Sequence, residues 1–220
     1  MSAGKPKQYL PLRGRALLEW SLAPFLQADW IDGVVVVLAS ADRGFAQLQI
    51  ARHPRLLTVS GGAERADSVL AGLSVVTRHT LEPTNTMVLV HDAARPCLRR
   101  SDLERLRDEV NDAQGGLLAM PVIDTLKQGE KGQVTGTADR SGYWRAQTPQ
   151  MFRVDLLAAA LAEARAQGRS VTDEASAMER AGYRPRLVGG SEGNLKVTFP
   201  DDLALAEFWL GQQTLRLGKE

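Results

Sequence analysis

The stretch Val88-Leu89-Val90-His91-Asp92-Ala93-Ala94-Arg95-Pro96 ends an apolar run in a carboxylate, two small residues, a guanidinium and a proline. Open α/β sheets bind their ligands beyond the carboxyl ends of strands. Asp92 placed there could hold a Mg²⁺ that a polyphosphate also binds, Ala93 and Ala94 would let a nucleotide approach closely, and Arg95 could hold a second anion. A strand-end turn closed by an Asp92–Arg95 ion pair fits the same residues. A second stretch, Ser60-Gly61-Gly62-Ala63-Glu64-Arg65-Ala66-Asp67-Ser68-Val69, sets two glycines between a strand and a helix. Amides without a Cβ in front of them can meet a base or a phosphate. A plain βα turn, with Arg65 and Asp67 on the first helical turn, is the other reading.

Further groups are spread along the chain. Lys5 and Lys7 flank Pro6, and a lysine is a good partner for a phosphate in transfer, although a solvated terminal lysine fits as well. Asp139-Arg140, Thr148-Pro149-Gln150, Thr172-Asp173-Glu174-Ala175 and Asn194-Leu195-Lys196-Val197-Thr198 supply hydroxyls, a guanidinium and an ammonium that could converge on one phosphate monoester. Equally, Thr172 could serve only as a helix N-cap and Lys196 as a solvated strand residue. The three histidines and single cysteine have no zinc-ligand spacing, and His53 and His79 read as surface loop residues. Neither a Walker A sequence nor a dinucleotide fingerprint is present.

The elements that must position these groups alternate. Gly33–Leu38, Leu56–Val59, Met87–Val90 and Gly116–Val122 are short, apolar and rich in β-branched residues or leucine, as buried parallel strands are. Between them the apolar spacing predicts helices over Arg15–Gln27, Arg65–Arg78, Ser101 to about Asn111, Arg153–Ala166 and Asp201–Gly211. Ser101 and Glu104 have the spacing of a capping box. Strands alternating with helices imply an α/β sheet with crossover helices. The polar, glycine-bearing segment from about 124 to 145 breaks the rhythm and reads as a hairpin or protruding arm.

Composition sets bounds. A chain of 220 residues, 44% hydrophobic and 24% charged, is expected to form a single domain over 1–220 with a substantial core. A net charge of +1 speaks against a general nucleic-acid binder, which needs a concentrated basic surface. The longest strongly apolar run, Val34–Leu38, is far too short to span a bilayer, and the first residues do not read as a signal peptide. Cys97 has no second cysteine to pair with, which suits a cytoplasmic setting.

Together the stretches Pro6–Leu10, Gly61–Val69, Val90–Pro96, Thr148–Gln150, Thr172–Ala177 and Asn194–Thr198 resemble, in order and spacing, the 2-C-methyl-D-erythritol 4-phosphate cytidylyltransferases. The resemblance runs from about Lys5 to Phe208. It implies a Rossmann-like nucleotidyltransferase sheet with flanking helices and a β-arm that interlocks a homodimer. It also implies an activity in non-mevalonate isoprenoid synthesis: the phosphate of methylerythritol phosphate attacks the α-phosphorus of CTP, with Mg²⁺ required. By the same resemblance, Lys7 stabilises charge at the α-phosphate, and Gly62, Ala63, Ser68 and Ala93 lie beside the cytidine nucleotide. Asp92 is the acid near Mg²⁺ and the ribose, while Arg95, Thr125, Arg140, Thr148, Thr172 and Lys196 line the methylerythritol phosphate site. Lys7, Asp92, Arg140 and Lys196 form the catalytic set on this view. Ala63 replaces a common acidic residue that contributes mainly through its backbone.

The large departure from the family pattern is at the start. The family opens with a strand and a Pro-Ala-Ala-Gly-x-Gly-x-Arg-Met segment, and Met1 falls where its final methionine would be. The sheet is therefore expected to lack its first strand and the site its phosphate cradle, as a start codon assigned too late would produce. The 220-residue form is then expected to turn over poorly, and a form extended upstream to turn over CTP. The alternatives are a cytidylyltransferase for another polyol phosphate, such as ribitol 5-phosphate, and a truncated, non-catalytic dimer.

Overall fold

The computed structural model describes residues 6–217. Met1 and Lys5 lie outside the described residues. The chain enters through a short 3-10 turn, Lys7–Tyr9, and a two-stranded hairpin, β1 (Pro11–Leu12) and β2 (Arg15–Ala16). Arg13 and Gly14 make its tight turn at φ 47° and 80°. Then follow α1 (Leu17–Leu26), β3 (Val34–Leu38), β4 (Leu56–Ser60), α2 (Arg65–His79), β5 (Met87–Val90), α3 (Arg100–Glu109) and β6 (Gly116–Pro121). The second half comprises β7 (Leu126–Glu130), β8 (Gln133–Ala138), β9 (Trp144–Arg153), α4 (Val154–Ala166), α5 (Glu174–Arg180), β10 (Arg186–Gly189) and α6 (Asp201–Leu217).

The α/β class holds, with local corrections: Met87–Val90, expected as a parallel strand, pairs only antiparallel with the Trp144–Arg153 strand among the described residues. The first helix opens at Leu17, because Arg15 and Ala16 pair with β1. The capping box at Ser101 does not form: α3 starts one residue earlier, Arg99 is its N-cap without a side-chain bond, and Glu104 instead accepts from Arg100 at 2.7 Å. Helix α6 continues past Gly211 to Leu217, and His79 ends a helix rather than sitting in a loop. The stretch Asn194–Thr198 is irregular chain, not strand.

A four-stranded sheet in the order β10-β6-β9-β5 carries the main core. Strand β10 is parallel to β6, while β9 runs antiparallel to both β6 and β5. Side chains alternate across the sheet, as the period of two requires. Leu117 and Phe152 face α4 and α5 with Leu157, Leu161 and Met178; Leu118 and Met151 face α1 and α3 with Phe25, Leu103 and Leu106. Phe152, Leu157 and Leu118 are fully buried, each contributing about 1.5–3 kcal/mol of transfer free energy.

Strands β3 and β4 form a separate parallel pair, and among the described residues no ladder joins β3 to β5. Two helices nevertheless pack against both pieces. Helix α1 packs Leu18 and Leu22 on Val36 of β3, and its Phe25 shares a cluster with Val34, Met87 and Leu89. On the other face α2 sets Leu73 against Val88 of β5, while Gly72 lies over Val37 so closely that a Cβ would sit 3.1 Å from its Cγ2. The arm expected near 124–145 is the exposed β7–β8 hairpin, turning through Lys131 and Gly132 at φ 51° and 81°.

Candidate functional site

Asp92 lies two residues beyond the last residue of β5. Its backbone N–H donates to Thr148 Oγ1 at 3.0 Å, and its backbone oxygen closes a turn with Arg95 N–H at 3.0 Å. These two bonds fix the backbone that carries the carboxylate. Asp92 Oδ2 receives Lys196 Nζ at 3.1 Å and Arg95 Nε at 3.3 Å, and Arg65 Nη2 stands 3.9 Å from Oδ1. Burial alone would raise the Asp92 carboxyl, but Lys196, Arg95 and Arg65 outweigh it and hold the group below the usual carboxylate range. The turn-closing ion pair read from the sequence therefore exists, and it sits inside a larger cationic cluster.

Thr148 comes from β9, buried opposite β5. Its hydroxyl contacts His91 Nδ1 at 2.9 Å, and His91 Nε2 lies 3.2 Å from Arg95 O. Burial, with the ring against Phe25, pushes the His91 imidazole down to about 4, so the ring is neutral. Beneath them, buried Gln150 donates to Asp173 Oδ2 at 2.9 Å and accepts from Ala175 N–H at 2.8 Å. That bond ties β9 to the start of α5. Asp173, not Thr172, is the N-cap there, accepting from Ser176 N–H at 2.9 Å. Thr172 is left exposed at the rim.

The residues that converge form a cleft of about 130 Å³ bounded by Arg65, Asp92, Arg95, Thr148, Thr172 and Lys196, with Gln147, Gln150 and Asp173 at its base. Five of these, Asp92, Arg95, Thr148, Thr172 and Lys196, are site residues expected from the sequence. Lys7 is close by: its ammonium reaches Val197 O at 3.4 Å, one residue beyond Lys196, and Val197 N–H is held by Ala94 O at 2.8 Å. Ala93 is exposed, with its carbonyl fixed by Ser21 Oγ at 2.9 Å.

Gly62 and Ser68 form a turn closed on itself. Gly62 N–H donates to Ser68 Oγ at 3.2 Å, and a Cβ on Gly62 would lie 2.3 Å from Asp67 Cβ. Gly62 and Ala63 are exposed. Thr125 and Arg140 are not brought to the cleft. Both are exposed on the arm, where Arg140 donates to Ile123 O.

Sequence reasoning missed a buried ion pair. Glu174, at the first position of α5, is fully buried and takes both terminal nitrogens of Arg65, at the first position of α2, with Nη2–Oε2 at 3.0 Å. The signal was available in part: a charged residue directly after a turn in two separate helices, one positive and one negative.

The donor set suits one divalent hard cation bound through a single carboxylate. Mg²⁺ keeps several waters and takes one or two carboxylates plus substrate phosphates. Asp92 Oδ1, free of any partner within 3.5 Å, is the oxygen open to it, whereas Oδ2 is covered by two cations. Among the described residues no group of three or more His, Cys, Asp or Glu side chains is placed to hold a metal. Such an ion would take its remaining ligands from water and a polyphosphate. No helix among the described residues is long and apolar enough to cross a membrane.

Comparison with known proteins gives concordant matches. The family model for IspD, 2-C-methyl-D-erythritol 4-phosphate cytidylyltransferase, matches residues 1–212. A 2-C-methyl-D-erythritol 4-phosphate cytidylyltransferase from Mannheimia succiniciproducens is 48% identical over 214 residues, covering 97% of this chain and 91% of that one. Its counterpart from Haemophilus ducreyi is 47% identical, over 96% and 90%. Among solved structures, a 4-diphosphocytidyl-2C-methyl-D-erythritol synthase superposes with a TM-score of 0.85 at 41% identity, covering 93% and 94% of the two chains. The Francisella tularensis enzyme of the same family gives 0.82 at 32% identity, covering 93% of each.

Proposed function

This chain belongs to the 2-C-methyl-D-erythritol 4-phosphate cytidylyltransferase family, and from that premise we propose how its residues carry out the transfer. It is a nucleotidyltransferase that moves the cytidylyl group of CTP onto 2-C-methyl-D-erythritol 4-phosphate, giving 4-diphosphocytidyl-2-C-methyl-D-erythritol and pyrophosphate in isoprenoid synthesis. An oxygen of the polyol phosphate forms a bond to the α-phosphorus, and the bond from that phosphorus to the β-phosphate oxygen breaks. The attacking group is already an anion, so no strong base is needed. The barrier is electrostatic, and positioning plus fixed positive charge lowers it.

The single observation that carries this assignment of roles is the convergence on Asp92. One carboxylate with an open oxygen, ringed by Lys196, Arg95 and Arg65, lies at the end of β5. Asp92 would hold Mg²⁺, which when bound would neutralise polyphosphate charge and polarise the α-phosphoryl group. Lys196 faces the attacking phosphate, and Lys7, whose ammonium reaches the Lys196 loop at Val197 O, serves charge growing at the α-phosphate. Thr172 offers an exposed hydroxyl at the rim. Thr148 holds the Asp92 backbone in place. Gly62, Ala63, Ser68 and Ala93 border the nucleotide. Thr125 and Arg140, exposed on an arm, would reach the crevice of a second copy, making the working form a homodimer. A cytosolic setting suits the single thiol, Cys97, which burial pushes up to about 12.

Pyrophosphate release tests the assignment. With CTP and Mg²⁺, methylerythritol phosphate should support release and ribitol 5-phosphate should not. Release with ribitol 5-phosphate at an equal or higher rate would transfer the activity to another polyol.

A further inference from the structure

We infer that His91 is a positioning residue for the transfer: its imidazole, held as the single tautomer with the hydrogen on Nε2, closes the turn that carries Asp92 and fixes where the carboxylate stands. The inference rests on the reading of Asp92 as a working group of the crevice.

The tautomer follows from counting donors and acceptors. A backbone carbonyl only accepts, so the 3.2 Å contact of Nε2 with Arg95 O requires the hydrogen to be on Nε2. A neutral imidazole has one N–H, and its other nitrogen accepts. Nδ1 is therefore bare, and at 2.9 Å it takes the hydrogen of the Thr148 hydroxyl. That hydroxyl in turn accepts the Asp92 N–H at 3.0 Å. The reverse tautomer would set the lone pair of Nε2 against the Arg95 carbonyl. Burial disfavours a charged ring by more than the Arg95 carbonyl and Asp92 favour it.

The two bonds of the ring enclose Asp92. One fixes the acceptor of its N–H. The other holds the carbonyl of Arg95, whose own N–H closes the turn on Asp92 O at 3.0 Å. The ring is thus a bridge from residue 91 to residue 95 with Asp92 inside it. Each donor in the chain from Asp92 N–H through Thr148 O–H to Nδ1 polarises the next. Packing against Phe25, at 5.1 Å between ring centroids, needs only an aromatic ring. The two nitrogens serve the turn.

What the turn fixes shows in the distances around the carboxylate. Asp92 Oδ2 is covered by Lys196 at 3.1 Å and Arg95 at 3.3 Å, while Oδ1 stands 3.9 Å from Arg65 Nη2. A shift of about 1 Å would bring Oδ1 within hydrogen-bond distance of Arg65. Protein cations would then cover both oxygens, and neither would face a ligand. Attraction between opposite charges favours that closure. The bridged turn opposes it.

NMR of the ring nitrogens in ¹⁵N-labelled wild-type protein at neutral pH reads the tautomer, with the His91 signals assigned from its own backbone. Nε2 should carry the hydrogen and Nδ1 should have the shift of a bare nitrogen. Hydrogen on Nδ1, or an average of the two forms, would overturn the inference. Kinetics reads the role. His91→Phe should lower kcat by about 10–100-fold, the loss that roughly 1 Å of misplacement brings, with KM for both substrates within about threefold. His91→Asn keeps an acceptor for Thr148, and His91→Gln keeps a donor for Arg95 O; both should fall between His91→Phe and wild type. Adding His91→Phe to Asp92→Asn should slow turnover by no more than about twofold further, because the ring acts through the carboxylate. A multiplied loss in the double variant, which a merely structural ring would give, or a His91→Phe enzyme as fast as wild type, would overturn the inference. Should His91→Phe not fold, the tautomer and the Asn and Gln variants decide. An Asp92→Asn enzyme as fast as wild type fails the role assigned above; a slow Asp92→Asn with an unaffected His91→Phe fails this inference alone.

Discussion

The crevice at the end of β5 and the β7–β8 arm both contain residues the family resemblance assigns to one substrate, yet they are built in opposite ways. In the crevice, Asp92, Thr148, His91, Arg95, Asn194 and Lys196 are joined by hydrogen bonds and ion pairs that begin in a buried sheet. Removing any of them disturbs its neighbours. On the arm, Thr125 and Arg140 are exposed, and Arg140 meets only the carbonyl of Ile123. The arm also exposes Ile123, Val134 and Tyr143, which one copy of the chain leaves uncovered. A site residue preorganised within one chain and a site residue waiting on an arm need different tests: the first by local chemistry, the second by mixing chains.

The largest effect is expected in the crevice. Asp92→Asn should lower turnover by more than about 100-fold, as loss of a major electrostatic group does. The melting midpoint should move by less than about 4 °C. A fully active variant would remove Asp92 from the metal role and erase the distinction between the regions.

Arg140→Ala tests the arm. It should lower kcat/KM by about 100-fold with little change in melting, since within its own chain the exposed side chain meets only the Ile123 carbonyl. Mixing it with Asp92→Asn should restore part of the activity, because in the proposed homodimer each mixed pair would contain one crevice with an intact Asp92 and an intact arm from its partner. No recovery after exchange would place Arg140 outside the site.

Thr148→Val should cost about 1–3 kcal/mol in denaturant unfolding, because it leaves the Asp92 N–H without its acceptor. Thr148→Ser should recover most of that. Equal loss in both would show that packing, not the hydroxyl, is what matters.

The smallest effect is a pH dependence. Folding lowers the His91 pKa from 6.5 to about 4, so the unfolded chain takes up the proton first. The stability from keeping this ring neutral is complete above about pH 6.5 and drains as the pH falls toward 4. The loss should be on the order of 1 kcal/mol, less than the full shift converts to, because the residue is only half-buried. His91→Asn should flatten the slope between those pH values; an unchanged slope would assign it to other groups.

Much of the crevice was legible from the sequence because its groups sit at ends of elements with plain signals. Met87–Val90 announces a strand and Asp92 its end; Thr172-Asp173-Glu174 announces a helix start. Strand β9 was not legible. Thr148-Pro149-Gln150 interrupts it with proline and polar side chains, features that argue against a central strand. Only tertiary structure shows that Gln150 is satisfied by Asp173 and Ala175, and that Thr148 is turned to Asp92. The Arg65–Glu174 pair spans 109 positions, so the charge at each of the two helix starts could not be read as one contact. The short strand Arg186–Gly189 escaped for a simpler reason: its two apolar residues, Leu187 and Val188, lie between charged and glycine positions.

The central claim is that the crevice joins a phosphate monoester to the α-phosphorus of CTP. ³¹P NMR of the protein with CTP, methylerythritol phosphate and Mg²⁺ reads that bond directly. Two mutually coupled diphosphate resonances should appear, one from each substrate, while the monoester signal falls and free pyrophosphate grows in step. CMP with pyrophosphate and an undiminished monoester signal, or a spectrum that does not change, would contradict it.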